Sequence, residues 1–215
     1  MAALAPLRTL PASDRVELRP HTDADLRLIE LASADPIIPN ITTVPRVWSE
    51  EAGWAYLARQ QSRPREGVGW SLAIVDRASG DAVGNVFVSV LLGSLRVAEV
   101  GYWVAEPYRR QGLTAEALRL IVDWAPTEFD IDELFLFIEP WNQGSIGVAA
   151  AAGFVEQATL DCWQRWNHDS DDWRPLMRFG QPGSQLGDIV TLGELEMAMW
   201  TAKFRGDPEL SLIHI

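Results

Sequence analysis

A chain of 215 residues, 47% of them hydrophobic, is long enough to bury roughly 70% of its unfolded surface around one core. A formal net charge of −12 argues against nonspecific nucleic-acid binding, which needs basic surface, and the single cysteine excludes an internal disulfide or a multi-cysteine metal site. The first residues carry no basic leader and no stretch reaches 18 apolar residues, so a soluble, cytoplasmic protein with no membrane contact is expected.

Residues 1–14 read as a loose arm. Val16–Arg19 alternates as a strand that ends at Pro20. Thr22 to Asp25 resembles a capping box and opens a helix to about Ala32. Asp35–Trp48 holds three prolines, which forbid a long helix. The segment is apolar enough either to line a pocket or to pack under a sheet. Ser49 caps a second helix to about Gln61, followed by a polar loop from Arg63 to Gly69. Three strands then follow as an antiparallel meander: Trp70–Val75, Ala82–Leu92 and Val97–Val104, with Gly80 supplying the first hairpin's turn.

The most informative stretch comes next. The strand Val97–Val104 runs into Arg109-Arg110-Gln111-Gly112-Leu113-Thr114, and an amphipathic helix starts there. A Gly-containing turn at a helix N-terminus points free N–H groups outward, where the helix dipole favours an anion. Two adjacent arginines suit a phosphate or pyrophosphate. The helix buries Ala117, Leu118, Ile121, Val122 and Ala125 and should stop at Pro126. Leu134–Ile138 is wholly apolar, which predicts a central strand, parallel to its predecessor across the helical crossover.

A small-sided helix follows, capped by Asn142 or Ser145 and ended by Gly153. Phe154–Trp166 and Trp173–Phe179 form a last hairpin, and Pro175 predicts that its second strand lies at an edge. Cys162 falls in the first of these strands and reads as a buried small hydrophobe. The hairpin's Asp169, Asp171 and Asp172, with Asp161 nearby, are either solvated or attract a cationic acceptor. His21, His168 and His214 are expected at the surface, and no spacing suits a metal. Residues 181–215 form an extension with a helix after Thr191, which docks on the domain or on a second copy in a homodimer.

This order of elements resembles the GNAT superfamily of acyl-CoA-dependent N-acyltransferases. Ala98-Glu99-Val100-Gly101-Tyr102-Trp103, Arg109-x-x-Gly112-x-Thr114, and then Pro140, Asn142, Ser145, Gly153 and Phe154 resemble the RimJ/RimL-type branch of ribosomal-protein N-acetyltransferases. The resemblance covers residues 14–180. It implies an α+β, three-layer fold: a mixed, mostly antiparallel sheet flanked by helices, with a parallel pair splayed into a V-shaped acyl-CoA slot, all within residues 15–180. It implies acetyl-CoA as co-substrate, no metal, and a primary amine as acceptor, either a small molecule or the N-terminus of a peptide or protein.

Under that resemblance Arg109, Arg110, Gln111, Gly112, Leu113 and Thr114 cradle the phosphates. Gly101 is a bulge that splays the strand, and Tyr102, Trp103 and Val104 pair with the pantetheine arm, an N–H near Trp103 or Val104 polarising the thioester. Asn142 binds pantetheine or a water. Direct attack of the amine needs a base and a thiolate acid. Glu99 is the candidate base and Ser145 the candidate acid, because the family's usual tyrosine is Ala149 here. Neutralising a lysine amine at pH 7 costs about 4–5 kcal/mol and an α-amine only about 1 kcal/mol, so a weak base fits an α-amine better. A succinyl or other acyl donor, or a non-catalytic acyl-CoA-binding module, are the alternatives.

Overall fold

The computed structural model describes residues 3–90, 96–129, 131–165 and 173–182. The strands are β1 (Val16–Pro20), β2 (Gly69–Asp76), β3 (Ala82–Val90), β4 (Val97–Val104), β5 (Glu133–Ile138), β6 (Val155–Arg165) and β7 (Trp173–Gly180). The helices are α1 (Leu26–Ser33), the single turn α2 (Ile38–Ile41), α3 (Glu50–Glu66), α4 (Leu113–Phe129) and α5 (Gln143–Ala151). The expected 191–200 helix, the Asn167–Asp171 turn, His168 and His214 lie outside the described residues.

The strands form one sheet in the order β1-β2-β3-β4-β5-β7-β6. Every adjacent pair is antiparallel except β4–β5, which is parallel. Helices cover both faces. On one, α4 buries Ala117, Leu118, Ile121 and Ala125 against Leu72, Val86, Val100 and Leu136. On the other, α1, α2 and α3 pack Leu28, Ile29, Ile38, Tyr56 and Leu57 around Trp103. The mixed three-layer fold is the expected one. The Pro-rich segment packs: Ile38, Pro39, Ile41 and Val44 are buried.

Three expectations fail at prolines: the end of the second helix near Gln61, the stop of the next long helix at Pro126, and the edge placement of the last strand. α3 passes Gln61 and contains Pro64, ending one turn later where Gly67 adopts φ 77° and the N–H groups of Gly67 and Val68 reach the carbonyls of Pro64 and Arg63. α4 runs through Pro126 to Phe129. Phe129 stacks on Trp70 at 3.6 Å and meets Trp124 edge-on at 4.6 Å, while Arg8 donates to the carbonyl of Thr127 at 2.8 Å. β7 is not an edge but lies between β5 and β6. Its pairing with β5 stops at Met177, so no β5 carbonyl is left wanting Pro175's missing N–H, and the β6 register shifts beside it.

Two further expectations are corrected. His21 is buried, not at the surface: its Nε2 lies 2.8 Å from Asn85 Oδ1, which also accepts from Ser71 Oγ at 2.6 Å, and its Nδ1 lies 3.5 Å from Asp25 Oδ2. Gly101 makes no bulge against β3. It pairs in register with Phe87, and a Cβ there would sit 2.3 Å from that ring, so glycine makes room for an aromatic side chain.

Candidate active site

The site is built where β4 and β5 part. Their pairing covers only Val97–Glu99 with Glu133–Phe135, after which β5 pairs with β7 alone. From Val100 to Val104 β4 is bonded to β3 on one side and open on the other. Trp103's carbonyl lies against Gly84 in β3, and Ala105 N–H donates to Val83, so strand alternation turns the backbone groups of Tyr102 and Val104 toward the open edge and those of Trp103 away from it. The Val104 carbonyl already accepts from Arg109 Nε at 3.3 Å, which leaves its N–H for a ligand.

Beyond β4, a 3₁₀ turn at Glu106–Tyr108 leads to Arg109, then Arg110 at φ 62° and Gly112 at φ 79°. The first bond of α4 joins Glu116 N–H to the Gly112 carbonyl, so the N–H groups of Leu113, Thr114 and Ala115 have no acceptor within the helix. Leu113 and Thr114 are buried, and they offer backbone donors rather than side chains. Gln111 and Gly112 are exposed.

The arginines differ. Arg110 is exposed. Arg109 is committed to Asp35, Nη2 to Oδ2 at 2.5 Å, and Asp35 is buried at the start of the Pro-rich segment, where it also accepts from the N–H groups of Ile37 and Ile38. Arg15 brings a third cation that sequence reasoning missed: Nη2 donates to the Gln111 carbonyl at 2.8 Å and Nη1 pairs with Glu116 at 3.3 Å. It stands before β1, far from the turn in sequence, and no local pattern links them.

On the other arm of the fork, Asn142 caps α5 and accepts from Ser145 N–H at 3.1 Å. Asn142, and not Ser145, is therefore the cap. Ser145 Oγ donates to Tyr102 Oη at 3.2 Å, and Tyr102 Oη donates to the Ser145 carbonyl at 3.0 Å. A phenol from β4 thus meets the first turn of α5 across the fork, one helical turn before the buried Ala149. Burial pushes the phenol's pKa up.

Glu99 lies on the opposite face, where the fork closes. It is 1% exposed, and its Oε1 has no hydrogen-bond partner. Burial pushes its pKa up to about 8, opposed by the charge of Arg63. Arg63 reaches in from α3, donates to Ser89 Oγ at 2.7 Å and stacks over Phe87 at 5.6 Å. Ser89 is the cross-strand neighbour of Glu99. Among the described residues no group of three His, Cys, Asp or Glu side chains is arranged to hold a metal, and no helix is long and apolar enough to cross a membrane.

Comparison with known proteins gives this geometry a family. The model of the acetyltransferase (GNAT) domain matches residues 15–155. The chain is 24% identical over 160 residues to spermidine N(1)-acetyltransferase of Escherichia coli (strain K12), covering 70% of this chain and 78% of that protein. It is 27% identical over 102 residues to a Bacillus subtilis (strain 168) protein named Probable N-acetyltransferase YjcK, covering 47% of this chain and spanning 56% of that protein's length. Among solved structures, Mycobacterium smegmatis RimJ in complex with CoA-disulfide superposes with a TM-score of 0.66 at 24% identity, covering 90% of this chain and 98% of that one. RimL, a ribosomal L7/L12 alpha-N-protein acetyltransferase in complex with coenzyme A, gives 0.69 at 18% identity over 80% and 97%. The forked strands, the amide-lined helix start and the domain match together place this chain in the GNAT acetyltransferase family.

Proposed function

We propose that the protein is an N-acetyltransferase that moves an acetyl group from acetyl-CoA to a primary amine by direct attack on the thioester. The observation that carries this reading is the fork itself: β4 leaves β5 after Glu99, with the α4 N-terminus at its open end and a buried carboxyl at its closed end. Backbone donors at Leu113–Ala115, with Arg110 and Arg15 beside them, suit the CoA phosphates. The open edge at Tyr102 and Val104 suits the amide-rich pantetheine arm.

In this reading Glu99 accepts the ammonium proton, and the amine nitrogen forms its bond to the carbonyl carbon. The Val104 N–H stabilises the oxyanion; collapse breaks the C–S bond, and the second proton of the attacking nitrogen passes to the departing thiolate. Ser145 donates a hydrogen bond to the departing sulfur by turning its hydroxyl away from Tyr102 Oη, which accepts it in the unliganded fold. RimL acts on a protein α-amine and the E. coli relative on spermidine. The proton cost favours an α-amine here. A cytoplasmic setting fits the CoA requirement.

A thiol-release assay over a panel of α-amines, lysine-type amines and polyamines tests the proposal. Turnover with at least one class is expected. Absence of release from every amine, together with undisturbed melting in saturating acetyl-CoA, overturns it.

A further inference from the structure

The α3-side face of the sheet carries more unmet polar groups than a proton acceptor needs. Glu99 aligns with Phe135 in β5, Phe135 with Gly180 in β7, and Phe137 with Arg178, so register puts all of them on one face. Arg178 is 6% exposed and its Nε has no partner. No carboxylate among the described residues pairs with it, and burial alone pulls its pKa down. A buried guanidinium in a protein's own fabric is almost always paired.

A second group stands beside it. Residue 157 is skipped where the β6–β7 register shifts, and the Gln157 amide lies over Gly180: a Cβ there would meet Nε2 at 2.3 Å and Oε1 at 2.6 Å. Gln157 Oε1 is likewise buried without a partner. Glycine at 180 therefore admits a polar head above the apolar floor of Phe135 and Phe137, which pack edge to face at 5.4 Å. Glu99 and Arg178 are two strand spacings apart and two residues along, roughly 12 Å between Cα atoms. Their side chains and a ligand the size of an amino acid or dipeptide span that distance.

We infer that Arg178, with the Gln157 amide beside it, is the recognition site for a carboxylate on one of the two substrates, so that the enzyme selects an anionic acceptor amine or an anionic acyl group. The inference rests on the N-acyltransferase reading. A guanidinium with no carboxylate partner among the described residues gains one when that carboxylate arrives, and rejection of the analogue lacking it follows from a donor left unpaired. A polycation such as a polyamine would meet Arg178 as a like charge.

Two substrate pairs separate the sources. The first is a dipeptide with a free C-terminus against its C-terminal amide, both with acetyl-CoA. The second is succinyl-CoA against acetyl-CoA, both with the amidated dipeptide. One pair should show a kcat/KM preference for the carboxylate on the order of ten- to a hundredfold. Arg178→Gln should bring that ratio near one, Arg178→Lys should keep part of it, and Gly180→Ala, which displaces the Gln157 amide, should reduce it. Arg178→Gln should melt no lower than wild type, since it breaks no ion pair. Turnover with ratios near one in both pairs, or a preference that survives Arg178→Gln, overturns the inference and leaves the acetyltransferase reading standing. No turnover with any pair overturns the inference, and the acetyltransferase reading then rests on the broader amine panel.

Discussion

Glu99 makes two predictions of opposite sense. If it is the base, kcat/KM should rise with pH and level off near its pKa of about 8, and Glu99→Gln should lower the rate about a hundredfold or more. A profile unchanged by the substitution would remove Glu99 from the chemistry. The same residue should weaken the fold. Its folded pKa lies above the ordinary 4.5, so between pH 4.5 and 8 the unfolded chain releases a proton that the folded one keeps, and stability falls as pH rises through that window. Glu99→Gln should thus match wild type near pH 4.5 and exceed it by roughly 3–5 kcal/mol above pH 8. Parallel melting curves across that range would contradict a carboxyl buried with Oε1 unpartnered. Tyr102 and Ser145 form a second residue-scale test. Tyr102→Phe and Ser145→Ala should each lower kcat on the order of tenfold with little change in KM for acetyl-CoA. The double variant should be no worse than the poorer single, because both lose one hydrogen-bonded unit. Additive losses would separate the two hydroxyls. Glu99 and Ser145 were legible in the sequence as candidates because they sit in local motifs. Arg63, Arg178 and the Tyr102 phenol were not, because each reaches the site from an element whose own pattern says only strand or helix, and Arg15 was not because it stands before β1, far from the turn in sequence.

At the scale of elements, the ion pair between Arg109 and Asp35 joins the phosphate turn to the Pro-rich segment across the top of the sheet. Asp35 also caps the single turn α2, so Asp35→Ala should loosen both at once. The expected loss is about 2–4 kcal/mol, with a raised KM for acetyl-CoA, and Arg109→Lys should recover little of the geometry. A stability loss with KM unmoved would show that the turn holds its shape alone. Gly101→Ala tests a different contact: a Cβ 2.3 Å from the Phe87 ring should cost about 1–3 kcal/mol, and Phe87→Leu in the same chain should relieve part of it. The elements themselves were readable from period and turn chemistry, since Val97–Val104, Leu113–Ala125 and Leu134–Ile138 each carry a clean apolar pattern. The larger misjudgements, two helix ends and one strand's place in the sheet, fall at prolines. Pro64, Pro126 and Pro175 act locally, whereas the stacking of Phe129 on Trp70 and the short β5 ladder are long-range facts that no window of sequence contains.

Across the whole molecule, the sheet is divided by its own topology. β1 to β4 form one antiparallel block, β5, β7 and β6 another, and among the described residues the two strand blocks pair only through Val97–Glu99 with Glu133–Phe135, with the Arg96 carbonyl accepting from Asp132 and Glu133 just before it. The α4 core crosses the join: Leu118 and Ile121 belong to one buried cluster with Val100 of the first block and Leu136 of the second. The hydroxyl pair of Tyr102 and Ser145 ties the arms again beyond it. A ligand in the fork would supply the backbone partners that β4 lacks there, acting as a third join. Acetyl-CoA at a hundred times its Kd should therefore stabilise the fold by about 2.7 kcal/mol. The protection gained should fall in two places that are remote in sequence. Amide exchange should slow at Val104 and at Leu113–Ala115, whose N–H groups are free in the unliganded fold, while β2, which is already paired on both sides, should change little. Slowing spread evenly over the sheet would mean that the ligand tightens the whole core. Slowing at Leu113–Ala115 without Val104 would place the phosphates correctly and leave the open edge of β4 without its assigned role.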